Sequence, residues 1–388
     1  KIISDRTTFM KKLYLISSLC LAALSLLLLC GCVHADENIP SAAESLSPSP
    51  TESPVSSDSS SLQSPSPSPG QPLEVLSIED VQSELTQAIA QLRQPSPMDI
   101  GSLALEQPEL DVKNLYYQIL SLRPEFKYAY DLSVSLDSSI LNCNISYMPY
   151  KTGQYPAGFE GIQVQSLSEL IAAAENNLSS GSIAVRIMDT SLEPDEMNKT
   201  LQQAGGGYFS CTLNQDATAI VFNPPVSMTA QDCMQAMAQA EELADSVISQ
   251  LISEDMSQED RAWALYSWLC SNVEYDQRYY SDKSSMPYES QTALGALRDG
   301  TAICGGYSHA LKLLFEKAGI PCFNVTGVYY GEYHMWNIAC LDGRWLWFDA
   351  TSDRGSDGQF GYLRFALDQL DTDKYQWNDA DVQALINQ

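Results

Sequence analysis

The residues best suited to covalent chemistry lie in the last third of the sequence, and the first of them is Cys304. The stretch Asp299-Gly-Thr-Ala-Ile-Cys304-Gly-Gly-Tyr opens a helical pattern that we expect to end before Gly319. Apolar residues recur along it at helical spacing, and Cys304 projects within about 50° of the centre of that buried face. The apolar residues of this face are Tyr307, Ala310, Leu311, Leu314, Phe315 and Ala318. A thiol in the first turn of a helix is stabilised as the nucleophilic thiolate by the helix dipole.

A thiol nucleophile usually needs a base, and the chain has only three histidines. His34 belongs to the N-terminal segment and is out of reach. His309 follows Cys304 by five residues and projects roughly opposite the apolar face, so we expect it to face solvent. His334 stands before a predicted strand that continues to Leu341. A lone histidine in that setting is normally structural, but His334 is the best base available to Cys304.

A carboxylate is expected close to His334. Asp342-Gly343 is a strong signal for a tight turn, and the return strand from Arg344 to Phe348 ends at Asp349. Counting across this hairpin brings the regions of His334 and Asp349 together. Asp349 is therefore placed to hold the imidazole in one tautomer.

The segment from about Ser257 to Asp353, roughly a quarter of the chain, resembles the transglutaminase-like superfamily, whose fold is related to papain. The matching motifs are Val273-Glu274-Tyr275-Asp276, Leu294-Gly295-Ala296-Leu297, Gly300-x-x-x-Cys304-x-Gly306-Tyr307, Ala318-Gly319-Ile320-Pro321-Cys322, Gly327, His334-x-Trp336-Asn337 and Asp342-Gly343-x-Trp345-x-x-x-Asp349-Ala350-Thr351. The resemblance implies that Cys304 attacks a carbonyl, His334 is its base and Asp349 orients His334. The superfamily often has alanine and an acidic residue after Gly-Tyr, where this chain has Ser308 and His309.

The resemblance also implies an α+β fold, in which the helix bearing Cys304 packs on an antiparallel sheet that carries His334 and Asp349. The implied reaction is acyl transfer from a protein or peptide amide through a thioester. We expect peptide hydrolysis, because water is always present and many bacterial relatives are considered protease-like. Protein cross-linking and a non-catalytic surface binding module are the alternatives. The backbone N–H of Cys304 is one expected oxyanion donor, Gln291 is a candidate for the second, and no metal or organic cofactor is implied.

The N-terminus has the order of a secretory signal. Met10-Lys11-Lys12 is basic, an apolar run extends from Leu13 to Leu29, and Gly31-Cys32 follows. The end resembles a bacterial lipobox, so we expect residues 1–32 to be a signal peptide, with residues 1–9 upstream of the true start and Cys32 lipidated. The alternative is a transmembrane anchor. Lipidation would hold the exported protein on the outer face of the bacterial cell membrane.

Residues 33–75 are rich in serine and proline and are predicted to be a disordered linker. The net charge of −28 disfavours a nucleic-acid partner, and it is explained either by a cationic partner or by the solubility of an exported protein. The partner that the resemblance implies is a protein or peptide substrate, which we expect at the cell wall. Seven cysteines follow Cys32, so at least one thiol stays unpaired. Most of them have apolar neighbours and are expected to be buried and inert.

Residues 76–228 carry no catalytic signature but show a weak internal repeat, with an offset of roughly 80–85 residues. A helical pattern from Ser83 leads to a strand, a helix and a hairpin, and the same order recurs after Ser168. We predict a smaller α/β region of two repeated modules, which serves either as a binding region or as a spacer. Residues 229–388 are the predicted transglutaminase-like domain, starting with capped helices at Thr229 and Ser257.

Overall fold

The computed structural model describes residues 71–355 and 364–387. The predicted signal peptide, Cys32 and most of the predicted linker lie outside the described residues, so these assignments stay predictions. Within the described ranges, no helix combines the length and apolar character that crossing a membrane requires.

The first four-stranded sheet is built from residues 73–147, here called the first module. Its elements are β1 (Leu73–Glu74), α1 (Ile78–Ala90), β2 (Met98–Asp99), α2 (Pro108–Leu122), β3 (Ala129–Asp137) and β4 (Ile140–Tyr147). The strand order is β1-β2-β4-β3, with β1 and β2 parallel and the other pairs antiparallel. Helix α1 begins before Ser83, because Ser77 and Asp80 form a capping box that the sequence reading missed.

The second module, residues 162–223, repeats this arrangement after a short helix α3 (Pro149–Thr152). Its elements are β5 (Ile162–Val164), α4 (Leu167–Glu175), β6 (Ser182–Ile187), α5 (Pro194–Leu201), β7 (Ser210–Leu213) and β8 (Ala219–Asn223). The strand order is β5-β6-β8-β7, again with the first pair parallel and the others antiparallel. The two modules share one topology, while the predicted domain boundaries stay predictions.

The two modules differ in how they bury their apolar side chains. The first module closes a core of its own around residues such as Leu85, Tyr116 and Leu132. The buried side chains of the second module belong to a core that continues without a break into the C-terminal helices and reaches Phe348. The second module is therefore packed into the C-terminal region, because its apolar face is covered by that region's helices.

The C-terminal region begins with helices. They are α6 (Ala230–Leu251), α7 (Gln258–Asn272), α8 (Arg278–Ser281), α9 (Ala293–Asp299) and α10 (Cys304–Lys317), with the short parallel strands β9 (Glu274–Tyr275) and β10 (Thr301–Ala302) between them. The side chains of Thr229 and Ser257 cap α6 and α7 as predicted. Gly300 ends α9 in the left-handed conformation, which turns the chain toward Cys304.

An antiparallel sheet follows, with strand order β13-β12-β11-β14. Its strands are β11 (Cys322–Tyr329), β12 (Glu332–Leu341), β13 (Arg344–Phe348) and β14 (Tyr375–Gln376), and helix α11 (Asp379–Ile386) comes last. Asp342 and Gly343 both have positive φ, as a two-residue hairpin turn requires. The predicted α+β fold, with the Cys304 helix on an antiparallel sheet, is confirmed.

Two local predictions were wrong. Strand β12 begins at Glu332, so His334 lies within the strand and not before it, because Tyr330 and Gly331 form a second tight turn with positive φ. Helix α10 is packed on both sides, with Ser308 only 1% exposed, because β11 and β12 lie on one side and α6 and α7 on others. Gly207 of the second module lies against the His309 ring. His309 therefore does not face solvent as an ordinary surface residue.

Candidate active site

Cys304 is the first residue of α10, and its side chain is partly exposed. The backbone beside it is tightly packed. A Cβ at Gly306 would lie 2.6 Å from the carbonyl oxygen of Ser290 and 2.7 Å from the Cβ of Ala302. The glycine therefore allows the first turn of α10 to lie directly against the preceding segment, which positions the thiol.

His334 and Asp349 meet across the β12–β13 hairpin. Asn337 pairs with Phe348, which places Asp349 at the end of β13 near His334. His334 Nε2 lies 2.9 Å from Asp349 Oδ2, and both side chains are buried. An ionised carboxylate can only accept, so Nε2–H is the donor and Nδ1 is the ring nitrogen left for the thiol of Cys304.

Asp349 is held by further donors. The Ser352 backbone N–H donates to Oδ1 at 3.0 Å, and the Ser352 hydroxyl donates to Oδ2 at 2.5 Å. The Tyr375 hydroxyl also donates to Oδ2, at 2.7 Å. Burial by itself would raise the pKa of Asp349, but His334 and these donors outweigh it and hold the pKa well below its usual range. The carboxylate therefore stays charged and fixed in place.

Burial and the charge of the partner also have opposite effects on the pKa of His334. Burial by itself would lower the pKa of His334, but the charge of Asp349 and the hydrogen bonds with Asp349 and Cys304 raise it above its usual value. The ring also lies between two aromatic rings, with centroids 5.3 Å from Tyr329 and 5.7 Å from Trp336. This environment favours an imidazolium, which can pair with a thiolate and later protonate a leaving amine.

Cys304 and His334 line a cleft of roughly 140 Å³ that also contains five tyrosines, while Asp349 lies outside its lining and contacts His334. Its other lining residues are Tyr275, Tyr279, Tyr280, Tyr329, Glu332, Tyr333, Thr351, Ser352 and Arg354. Gln291 does not line the cleft, but it lies against Gly305 next to Cys304, so its candidacy as the second oxyanion donor stays a prediction. Burial raises the pKa of Tyr275, and a hydrogen bond with Tyr280 and the charge of Cys304 raise it further, so this phenol keeps its proton. Tyr275 is the better candidate for the donor, and sequence reasoning had quoted it only as part of a motif.

The other six cysteines differ from Cys304. None of the seven cysteines among the described residues forms a disulfide, and only Cys304 and Cys340 are partly exposed. Burial raises the pKa of the Cys143 and Cys211 thiols to about 12. Cys340 lies on β12, six residues beyond His334, and pairs with Trp345 across the hairpin. It provides a natural comparison thiol for Cys304.

A polar network on the other side of α10 was not foreseen. Asn324 Nδ2 donates to His309 Nδ1 at 3.1 Å, and Asn324 Oδ1 accepts from Asn337 Nδ2 at 2.9 Å. The Gln203 side chain makes two hydrogen bonds with the backbone of Asn324, which joins the second module to the sheet. Burial lowers the pKa of His309 to about 4. The one available signal was Asn337, which the superfamily motif already singled out.

Two further features surround these sites. A cavity of about 840 Å³ lies between the second module, β11 and α11, and His309 is in its wall whereas Cys304 is not. The cleft that contains Cys304 and His334 is therefore much smaller than this cavity. Across residues 71–355 and 364–387 there is no cluster of three or more histidine, cysteine or acidic side chains arranged to hold a metal ion.

The part of the chain that contains Cys304, His334 and Asp349 is similar to known proteins. Residues 245–350 match the model of the transglutaminase-like superfamily. The human kyphoscoliosis peptidase is 28% identical over 123 residues, which cover 29% of this chain and 18% of that protein, and the mouse protein matches to the same extent. The chain thus spans less than a fifth of the length of these curated relatives.

Two solved structures are also similar. One is described as a TGase, with a TM-score of 0.28 and 13% identity over 54% of this chain and 53% of that chain. The other is a putative cysteine protease from Cytophaga hutchinsonii, with a TM-score of 0.24 and 21% identity over 35% of this chain and 51% of that chain. Both TM-scores are low, and the family match alone decides the assignment. Residues 245–350 of this chain are a transglutaminase-like superfamily domain.

Proposed function

We propose that this protein is an exported cysteine enzyme of the bacterial cell surface that hydrolyses protein or peptide amides by acyl transfer. One observation carries the proposal. The His334 imidazole is fixed between the Asp349 carboxylate, at 2.9 Å, and the thiol of Cys304, inside one aromatic cleft. A nucleophile, a base and a group that orients the base are the minimum set for this chemistry.

In the proposed mechanism, the Cys304 thiolate attacks the amide carbonyl carbon and forms a carbon–sulfur bond. The carbonyl electrons move to oxygen, which accepts hydrogen bonds from the Cys304 backbone N–H and the Tyr275 hydroxyl. The tetrahedral intermediate collapses, the carbon–nitrogen bond breaks, and the His334 imidazolium protonates the leaving amine. A thioester on Cys304 and a free amine result.

The second half of the mechanism returns the enzyme to its starting state. Neutral His334 takes a proton from water, and the hydroxide attacks the thioester carbonyl. Loss of the Cys304 thiolate releases the carboxylic acid, and His334 is again an imidazolium. Asp349 stays ionised throughout, and its hydrogen bond fixes the imidazole and stabilises the positive charge.

Hydrolysis is preferred over amine transfer because both curated relatives are named peptidases. An amine in place of water would give protein cross-linking through the same thioester. Lipidation of Cys32 and export are part of the proposal on the strength of the N-terminal sequence pattern. The Ser/Pro-rich linker would hold the enzyme away from the membrane.

The test is alkylation of the full-length protein by iodoacetamide across a pH range, read for each cysteine by mass spectrometry. We expect Cys304 to react much faster than Cys340 on the acid side of the ordinary thiol range, and His334→Ala to slow only Cys304. Equal rates for the two thiols would contradict the enzyme proposal and favour the non-catalytic binding module. A protein substrate incubated with and without a primary amine then separates cleavage from cross-linking.

A further inference from the structure

The catalytic centre is completed by a segment that lies beyond the family match. The match ends at residue 350, whereas residues 364–387 form β14, α11 and the chain that leads to them. We infer that this C-terminal segment is part of the catalytic apparatus and that Tyr375 is a positioning residue for the Asp349 carboxylate. The inference rests on the proposed function, because it assigns a role within the same site.

The pairing of β14 with β11 places Tyr375 at the site. Strand β14 pairs with β11, with Tyr375 opposite Tyr329. The Tyr375 ring is 1% exposed, and its centroid lies 4.4 Å from that of Tyr329 and 5.4 Å from that of Trp336. The same two rings flank the His334 imidazole. Tyr375 therefore packs against the same two aromatic rings that flank His334, and this packing restricts the position of the Tyr375 hydroxyl.

The hydroxyl of Tyr375 reaches the oxygen atom that His334 uses. It donates to Asp349 Oδ2 at 2.7 Å, and His334 Nε2 contacts the same oxygen at 2.9 Å. The Ser352 hydroxyl donates to the same oxygen at 2.5 Å, so three donors share its negative charge. Tyr375 thereby fixes the direction of the carboxylate and moderates how strongly Asp349 holds the proton on His334.

Several other charged or titratable groups lie near this pair. Those facing Asp349, His334 or Tyr375 are Cys304 on α10, Tyr266 and Cys270 on α7, Tyr329 on β11, and Asp353 and Arg364 in the connecting chain. Arg364 lies 2.9 Å from Asp353 and donates to the Tyr375 hydroxyl at 3.4 Å. Besides His334, the side chains that donate to Asp349 are those of Tyr375 and Ser352, and of these two hydroxyls Tyr375 is the one from the C-terminal segment.

The chain contains a matched control for a buried tyrosine–carboxylate hydrogen bond. Tyr266 is fully buried, and its hydroxyl donates to Asp353 Oδ2 at 2.7 Å, the same distance as in the Tyr375 pair. Tyr266→Phe therefore removes an equivalent hydrogen bond without changing the donors to Asp349. A purely structural role for Tyr375 predicts that the two phenylalanine variants behave alike.

The experiment compares Tyr375→Phe with Tyr266→Phe in the full-length chain. The His334 imidazole is titrated by NMR, thermal unfolding is recorded, and the rate of Cys304 alkylation is followed across pH. We expect both variants to lose a similar amount of thermal stability. Only Tyr375→Phe should move the His334 titration upward, by about half a pH unit or more, since the Oδ2 charge is then shared with one donor fewer.

A fluorinated tyrosine at position 375 covers the case in which Tyr375→Phe does not fold, because it keeps the ring and strengthens the donor. It should move the His334 titration downward. The inference is overturned if the His334 titration in both Tyr375 variants is the same as in the unmodified protein. It is also overturned if Tyr266→Phe shifts the His334 titration as much as Tyr375→Phe does. Failure of the proposed function looks different, because Cys304 alkylation would then be independent of His334 in the unmodified protein.

Discussion

Two imidazoles lie on either side of the same helix–sheet unit, and their pKa values move in opposite directions. Burial by itself would lower the pKa of both His334 and His309. The carboxylate of Asp349 reverses the effect at His334, whereas the neutral amide of Asn324 cannot reverse it at His309, whose pKa falls to about 4. Burial therefore does not decide the charge of a histidine here, and the charge of its partner does.

The amide beside His309 also has only one usable orientation. Asn337 donates to Asn324 Oδ1, so the NH₂ group of Asn324 must face His309 Nδ1. A proton on Nδ1 would set two donors against each other. The network thus keeps His309 neutral at the contact between the second module and the β11–β12 hairpin, whereas Asp349 keeps His334 charged in the proposed active site.

The largest expected effect comes from making the two sites alike. Asp349→Asn replaces the carboxylate with an amide of the same shape, so burial should dominate at His334 and lower its pKa. We expect the alkylation rate of Cys304 at neutral pH to fall by about a hundredfold or more. Asp353→Asn, which removes a buried carboxylate that does not bond to His334, should leave Cys304 much faster than Cys340. A small change in Asp349→Asn would show that the carboxylate is dispensable.

The reciprocal exchange is Asn324→Asp, which gives His309 a carboxylate. One oxygen can still accept from Asn337, and the other can accept from a protonated Nδ1. We expect the pKa of His309 to rise from about 4 by on the order of two units. NMR titration of the three histidines, assigned by His309→Gln, measures this directly. An unchanged His309 titration would mean that the partner's charge does not control it.

The smallest effect concerns stability. The folded-state pKa of His309 lies below its ordinary value of 6.5, so the unfolded chain binds the proton first as pH falls. His309 therefore favours folding fully above about pH 6.5, and that contribution is lost progressively toward pH 4. The loss should be on the order of 1–3 kcal/mol.

His309→Gln keeps an acceptor for Asn324 and cannot titrate. Urea unfolding at pH 7 and pH 4.5 should show a smaller drop in unfolding free energy for His309→Gln than for the unmodified protein. Buried carboxylates such as Asp349 titrate in both proteins, so the difference isolates His309. Equal drops would indicate that His309 is solvated in the folded protein.

The comparison also shows where sequence reasoning works. Cys304 was expected in the first turn of a helix, and the helix begins at that residue, because the glycine turn before it and the helical spacing after it are local signals. His334 and Asp349 were expected together because a single Asp342-Gly343 hairpin joins their strands, and the structure places their side chains 2.9 Å apart. The capped starts of α6 and α7 were visible for the same reason.

Contacts between distant parts of the chain could not be foreseen. Gln203 bonds to Asn324 across 121 positions, and Tyr375 reaches Asp349 from a strand that the sequence reading did not identify. His309 is half-buried with Gly207 of the second module against its ring, and an apolar stripe on one helix says nothing about what covers the opposite face.

The sequence by itself determined the chemistry on offer and the local elements that carry it, because helix starts, tight turns and motif spacing depend on near neighbours along the chain. Only the tertiary structure decided which histidine is charged, which tyrosines surround the thiol and what holds Asp349. Those properties depend on burial and on the charge of partners brought in from elsewhere in the fold.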